Sequence, residues 1–184
     1  MVIALYTAIF VPWGYSIPRP NDVWYVDGYM KLEPFGIEIY AAIDGYSRYI
    51  VWIYAGVSAR TGVSVLHQAI YEYKNRGFLL RKIRSDRGIE TILLADGHFM
   101  LRQLGEPSVQ PKDCYIYGRS VDNQRIEAWW GMLSRASTGL FYRYFRRLQY
   151  TECFTKDSIP DQVSLLVVYM FILGELILCE GSQQ

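Results

Sequence analysis

Three acidic residues, each in its own local setting, are the residues of this chain best suited to chemistry. Asp27 stands in Trp24-Tyr25-Val26-Asp27-Gly28, Asp86 in Ile83-Arg84-Ser85-Asp86-Arg87-Gly88, and Glu127 in Asn123-Gln124-Arg125-Ile126-Glu127-Ala128-Trp129-Trp130. An apolar strand pattern precedes each aspartate, and an amphipathic helix pattern surrounds the glutamate. Two strand-borne aspartates and one helix-borne glutamate can form a carboxylate cage for hard divalent cations, and such a cage can drive phosphoryl transfer on nucleic acid. Each acid also has a plain structural explanation. On a strand Asp27 shares a face with Tyr25 and Tyr29 and could be an edge-strand carboxylate; a charge there must be paired, solvated or metal-bound. Asp86 closes a strand, a common place for a ligand group, and could equally make a strand-to-helix turn. Glu127 could be an exposed helix residue paired with a neighbouring arginine. A fourth acid, Asp44, opens Asp44-Gly45-Tyr46-Ser47, and turn chemistry accounts for it, so it is left out of the set.

The elements that must position these acids follow from periodicity and punctuation. Residues 17–22 read as an extended lead-in, because each proline turns its predecessor away from helix. Strands are predicted over Val23 to Leu32, Ile37 to Ile43 and Tyr49 to Val57, joined by turns at Pro34-Phe35-Gly36 and at Asp44 to Ser47, which suggests an antiparallel meander. Thr61 looks like a helix N-cap; Val65, Ala69, Ile70 and Tyr73 recur at helical spacing, and Gly77 marks the end. A fourth strand over Leu79 to Ser85 ends at Asp86. A helix from about Glu90 to Leu104, a polar loop over 105–113 and a short strand over Cys114 to Tyr117 come next. A helix from Val121 to about Ser134, capped by Ser120 or Asp122, and another over Leu140 to Gln149 complete the pattern. The order β-β-β-α-β-α-β-α argues for an α/β domain with a mixed sheet flanked by helices.

Composition sets the bounds. One domain of 184 residues is long enough for a sizeable core, and 51% hydrophobic against 20% charged residues marks a globular chain. The net charge of +1 gives no global sign of nucleic-acid binding. Its distribution is more telling: residues 74–87 carry six basic side chains against Asp86 alone, and residues 119–149 carry six arginines against Asp122 and Glu127. Both stretches contain one of the three acids. They read either as solvated faces or as phosphate contacts around an acidic site. Cys114, Cys153 and Cys179 are odd in number and far apart, and are expected to be buried reduced thiols of an intracellular protein. Two histidines, His67 and His98, offer no zinc cluster. The apolar residues 1–13 lack the positive start and the cleavage site of a signal peptide. Residues 163–179 are mostly apolar but include Glu175 and fall short of the roughly 20 residues of a membrane span, so a helix packed on the core or on a partner is expected, with no membrane.

Taken in order, Trp24-x-x-Asp27, Ala42-Ile43-Asp44-Gly45-Tyr46-Ser47-Arg48-Tyr49, Ile83 to Gly88 and Asn123-x-x-Ile126-Glu127 resemble the integrase core domain. This is the DDE catalytic domain of retroviral and retrotransposon integrases and related transposases. Lys31-Leu32, the run from Gly118 to Glu127 and Leu140-Phe141-Tyr142 are similar to its eukaryotic branch. Each motif alone is weak; four in this order are specific. The resemblance covers roughly Arg19 to Tyr150 and, more weakly, the tail, dividing the chain into a segment 1–18, a core 19–150 and a tail 151–184. It implies a ribonuclease-H-like fold, with Asp27, Asp86 and Glu127 as catalytic residues and ligands of Mg²⁺ or Mn²⁺. It implies DNA as partner, with a homo-oligomer open, and a nuclear location in a eukaryotic cell. Asn123 matches a polar residue of the family motif and is expected near nucleic acid, as are Arg84, Arg87 and Arg125, though Arg125 could instead pair with Glu127. Forty residues separate Asp86 from Glu127, more than is usual in the family, which assigns a longer loop to 105–120. The family's His-His-Cys-Cys zinc module and separate C-terminal DNA-binding domain have no counterpart here, so the resemblance implies the chemistry of the core and not autonomous integration. A domesticated or truncated core that binds nucleic acid or acts as a scaffold without turnover is the alternative, and another kind of ribonuclease-H-like nuclease a third.

Overall fold

The computed structural model describes residues 17–118 and 123–181. Three strands, β1 (Val23–Tyr29), β2 (Glu38–Asp44) and β3 (Ile50–Gly56), form the expected antiparallel meander. Helix α1 (Gly62–Arg76) leads to β4 (Lys82–Ser85); α2 (Thr91–Gly105) and a single turn, α3 (Pro111–Cys114), lead to β5 (Tyr115–Tyr117). Three further helices follow: α4 (Gln124–Leu133), α5 (Gly139–Tyr150) and α6 (Ile159–Gly181). The sheet order is β3-β2-β1-β4-β5, with β1, β4 and β5 mutually parallel. This is the mixed five-stranded sheet, flanked by helices, of the ribonuclease-H-like class.

Strand alternation sorts the core into two layers. Tyr25 and Tyr29 of β1 face Ile126, Trp129 and Trp130 of α4, with Phe145 of α5 and Leu165 and Tyr169 of α6. Trp24 and Val26 face the other way, toward Val65, Ala69 and Tyr73 of α1 and Leu94 of α2. Helix α1 is bounded as its sequence signals: Thr61 Oγ1 accepts from the Ser64 N–H at 3.3 Å, and Gly77, at φ 69°, closes the last turn onto the Tyr73 carbonyl.

Several boundaries differ from the sequence reading. Strand β1 stops at Tyr29 because the Glu33 N–H folds back to the Met30 carbonyl, opening a 3₁₀ turn over Glu33–Phe35 that Gly36 ends at φ 75°. Part of the 105–113 loop is helical, as α3. Helix α4 begins at Gln124; the anticipated caps Ser120 and Asp122 lie outside the described residues. Its continuation, Ser134–Thr138, is a π-helical turn into α5, a feature frequent at functional sites. Cys153 is exposed rather than buried, in the turn after α5, whereas Cys114 is buried. Helix α6 packs against the core through Leu165 and Tyr169, whose hydroxyl meets Thr138 Oγ1 at 2.9 Å. Among the described residues no helix is long and apolar enough to cross a membrane.

The β2–β3 hairpin is locked by Asp44. Its carboxylate accepts from the Asn21 N–H at 2.8 Å and from the Ser47 N–H and hydroxyl, both at 2.7 Å. The turn then presses on the core, where a Cβ on Gly45 would run into Ile17, Tyr25 and Arg125. Gly45→Ala should therefore destabilise the fold by about 1–3 kcal/mol, the usual cost of overpacking, measured by urea unfolding. Gly105→Ala, where added bulk meets nothing within 4 Å, serves as control.

Candidate active site

β1 is the third of five strands, so Asp27 is not an edge carboxylate. The parallel register of β1 and β4 pairs Val23 with Lys82 and Tyr25 with Arg84. Continued by two residues, it sets Asp27 beside Asp86, just past the end of β4. Asp27, like Tyr25 and Tyr29, points to the α4 layer, and α4 carries Glu127. The helix is tied to β1 at both ends. Asn123 Nδ2 donates to the Val26 carbonyl at 3.2 Å, and Trp130 Nε1 donates to Asp27 Oδ2 at 3.0 Å. Beyond α4, Ser134 Oγ lies 2.6 Å from the Tyr29 hydroxyl and accepts from Lys31 Nζ at 3.0 Å.

The three acids differ in exposure. Asp27 and Asp86 are half-buried, and Glu127 is exposed on the first turn of α4. Burial is the main cause that pushes the Asp27 carboxyl from 3.8 up to about 6. Hydrogen bonds from Trp130 and the Gly28 backbone pull it down, and the charges of Asp86 and Glu127 push it further up. Asp27 thus lies in the field of both other acids. Among the described residues no three His, Cys, Asp or Glu side chains form a ready-made metal cluster. The donor set still suits a hard divalent cation: all its donors are carboxylate oxygens, and their mutual repulsion is what a cation relieves.

The residues expected to meet nucleic acid are placed unequally. Arg87 is exposed, in the turn between β4 and α2. The guanidinium groups of Arg84 and Arg125 stand over the Tyr25 ring, at 5.7 Å and 5.1 Å, and Arg125 also donates to the Gly45 carbonyl. Asn123 points inward instead: its side chain is 2% exposed and braces α4 on β1. Sequence reasoning passed over four residues here. Trp130 holds Asp27, Lys31 stands beside Tyr29, Arg48 approaches Arg125 closely enough for repulsion to add to burial in lowering its pKa, and Glu90 shares with Asp27 and Asp86 an influence on the buried Tyr40 hydroxyl. Arg48, Lys31 and Trp130 each stood inside a motif the sequence offered, but none of those motifs gave the residue a role at the site; Glu90 stood in none. A cleft of about 660 Å³, lined by Arg19, Asp22, Arg81, Arg102, Glu106 and others, contains none of the candidate residues.

The family model described as the integrase core domain matches residues 14–177, most of the chain. The chain belongs to that family. A search of curated proteins finds no match.

The position of Asp27 has a measurable consequence in metal-free buffer. Between about pH 4 and 6 the folded chain holds a proton that the unfolded chain has released. Stability therefore falls as pH rises through that window and is level with respect to this group above it. Two pH units correspond to on the order of 3 kcal/mol. Asp27→Asn keeps an oxygen acceptor for Trp130 and should be more stable than wild type at pH 7.5, with the difference shrinking toward zero near pH 4. Urea unfolding of both proteins across this range checks the sign.

Proposed function

We propose that this integrase-core chain is a polynucleotidyl transferase that cleaves a DNA strand and joins a 3′ end to a target strand. The observation that supports the reading is that Asp27 lies in the field of both Asp86 and Glu127, in a chain of the integrase-core family. Asp27, Asp86 and Glu127 would hold Mg²⁺ or Mn²⁺. When bound, a divalent pair supplies an activated water or 3′-hydroxyl and charge stabilisation for the leaving oxygen of an in-line displacement. The chain's own part would be to hold these ligands in place: β1 carries Asp27, Asp86 directly follows the adjacent β4, and α4 carries Glu127. No side-chain nucleophile is needed, so no serine or cysteine is assigned a chemical role. Arg87 is the exposed cation nearest to Asp86 in sequence and is assigned to a DNA phosphate. Arg84 and Arg125 would present positive charge on the β1 face beside the acids. Such contacts position a strand without reading its sequence.

Glu127→Gln removes one ligand and one negative charge from an exposed helix position. It should abolish cleavage and joining of a labelled oligonucleotide duplex with Mg²⁺ or Mn²⁺, while DNA affinity is kept or rises. Asp86→Asn should lose most Mn²⁺ affinity by calorimetry with the fold intact. Arg87→Ala should weaken binding to all sequences alike and lower the slope of log affinity against log salt by about 1. Retained DNA binding by a wild type that neither cleaves nor joins under any divalent metal would replace this reading with the non-catalytic one.

A further inference from the structure

We propose that Trp130 is a positioning residue that sets the orientation of Asp27 for cation binding; this rests on the reading of Asp27 as a ligand. The indole N–H is a donor with no acceptor function, and here it donates to Asp27 Oδ2 at 3.0 Å. That bond occupies one lone pair of Oδ2, and the Gly28 backbone takes another of the carboxylate's roughly four acceptor sites, which leaves others for a cation. The ring itself cannot move freely. It is 6% exposed, stacked on Tyr29 at 4.9 Å and 30°, and set edge-on to Trp129 at 4.9 Å and 63°. Tyr29 is in turn pinned through its hydroxyl to Ser134.

The spacing makes the arrangement more than a buried hydrogen bond. Trp130 follows Glu127 by three residues on α4, so both lie on one helix face, a turn apart. One turn of helix thus carries a proposed ligand and the donor that orients another ligand on a neighbouring element. Any shift of α4 along β1 would disturb both together. Groups that orient a metal ligand through a hydrogen bond are typically worth about 10–100-fold in metal affinity. Aromatic packing alone explains Trp129, which makes no such bond among those described, and that residue is the natural control.

The test compares the full chain with Trp130→Phe, Trp129→Phe and Asp27→Asn. Phenylalanine keeps an aromatic ring against Tyr29 and deletes the donor. Mn²⁺ affinity, read from the free-ion paramagnetic resonance signal, should drop by about 10–100-fold in Trp130→Phe and stay at the wild-type value in Trp129→Phe. Independently, the Trp130 indole N–H resonance, assigned by its loss in Trp130→Phe, should shift on Mg²⁺ addition to the wild type. A purely structural tryptophan would not respond. Wild-type affinity in Trp130→Phe, with binding lost in Asp27→Asn, overturns this proposal and leaves the ligand reading standing. Wild-type affinity in Asp27→Asn overturns the ligand reading and this proposal with it. Should Trp130→Phe fail to fold, the wild-type Trp130 N–H resonance, picked out from the five indoles by its nuclear Overhauser contacts to the stacked Tyr29 ring, decides: no shift with Mg²⁺ sinks the idea.

Discussion

A carboxylate on the central strand of a five-stranded sheet governs much of this molecule. β1 lies between β2 and β4, Asp27 is paired with Ala41 of β2, and its face of the sheet is covered by helices. The ionised group must therefore find compensation locally. It takes part of it from the Trp130 indole and from the Gly28 backbone, and the remainder appears as a raised pKa. The helix that supplies the indole is then fixed in place. Asn123 anchors one end of α4 at Val26, Trp130 anchors the other at Asp27, and Ser134 meets Tyr29 beyond it. Glu127 is positioned because the helix that satisfies Asp27 carries it.

Charge on the same face is arranged along β1. Tyr25 precedes Asp27 by two residues, about 7 Å along a strand. The tyrosine ring lies beneath two guanidinium groups, while the aspartate lies in the field of two further carboxylates. A positive cluster and a negative cluster thus adjoin on one strand. The Arg125 bond to Gly45 ties the positive cluster to the β2–β3 hairpin, which Asp44 holds rigid. Asp44, left out of the acidic set, contributes by shaping the turn from which Arg48 and the Gly45 carbonyl are presented.

The elements were legible wherever local chemistry decides them. Thr61 and Gly77 bound α1 because capping is local, and Tyr25, Asp27 and Tyr29 share a face because alternation is local. What could not be read was set by partners distant in sequence. Asn123 looks like a surface polar residue until Val26, far away in the chain, is placed against it. Nothing in Trp129-Trp130 says which ring meets a carboxylate; the angular position of α4 over β1 decides that. The edge reading of Asp27 fell for a similar reason, since only the crossover from β3 through α1 to β4 makes β1 central. Cys153 broke the expectation for thiols because α5 ends at Tyr150, leaving it in an exposed turn.

The same electrostatics links fold stability to the site. Below about pH 6 a proton neutralises Asp27, and the sheet carries no buried charge there. Above it, the fold retains an ionised group that the unfolded chain would solvate freely, a cost typical of sites kept for function rather than stability. Whatever favours the ionised form lowers that cost, and it stabilises the folded chain by the same free energy. His98 runs the opposite way. It is fully buried against Tyr73, and burial lowers its pKa to about 4, so acid favours the unfolded chain in the window where acid relieves Asp27. The two groups lie on opposite faces of the sheet, and their opposed contributions keep the net stability of the chain flatter between about pH 4 and 6 than either group alone would allow.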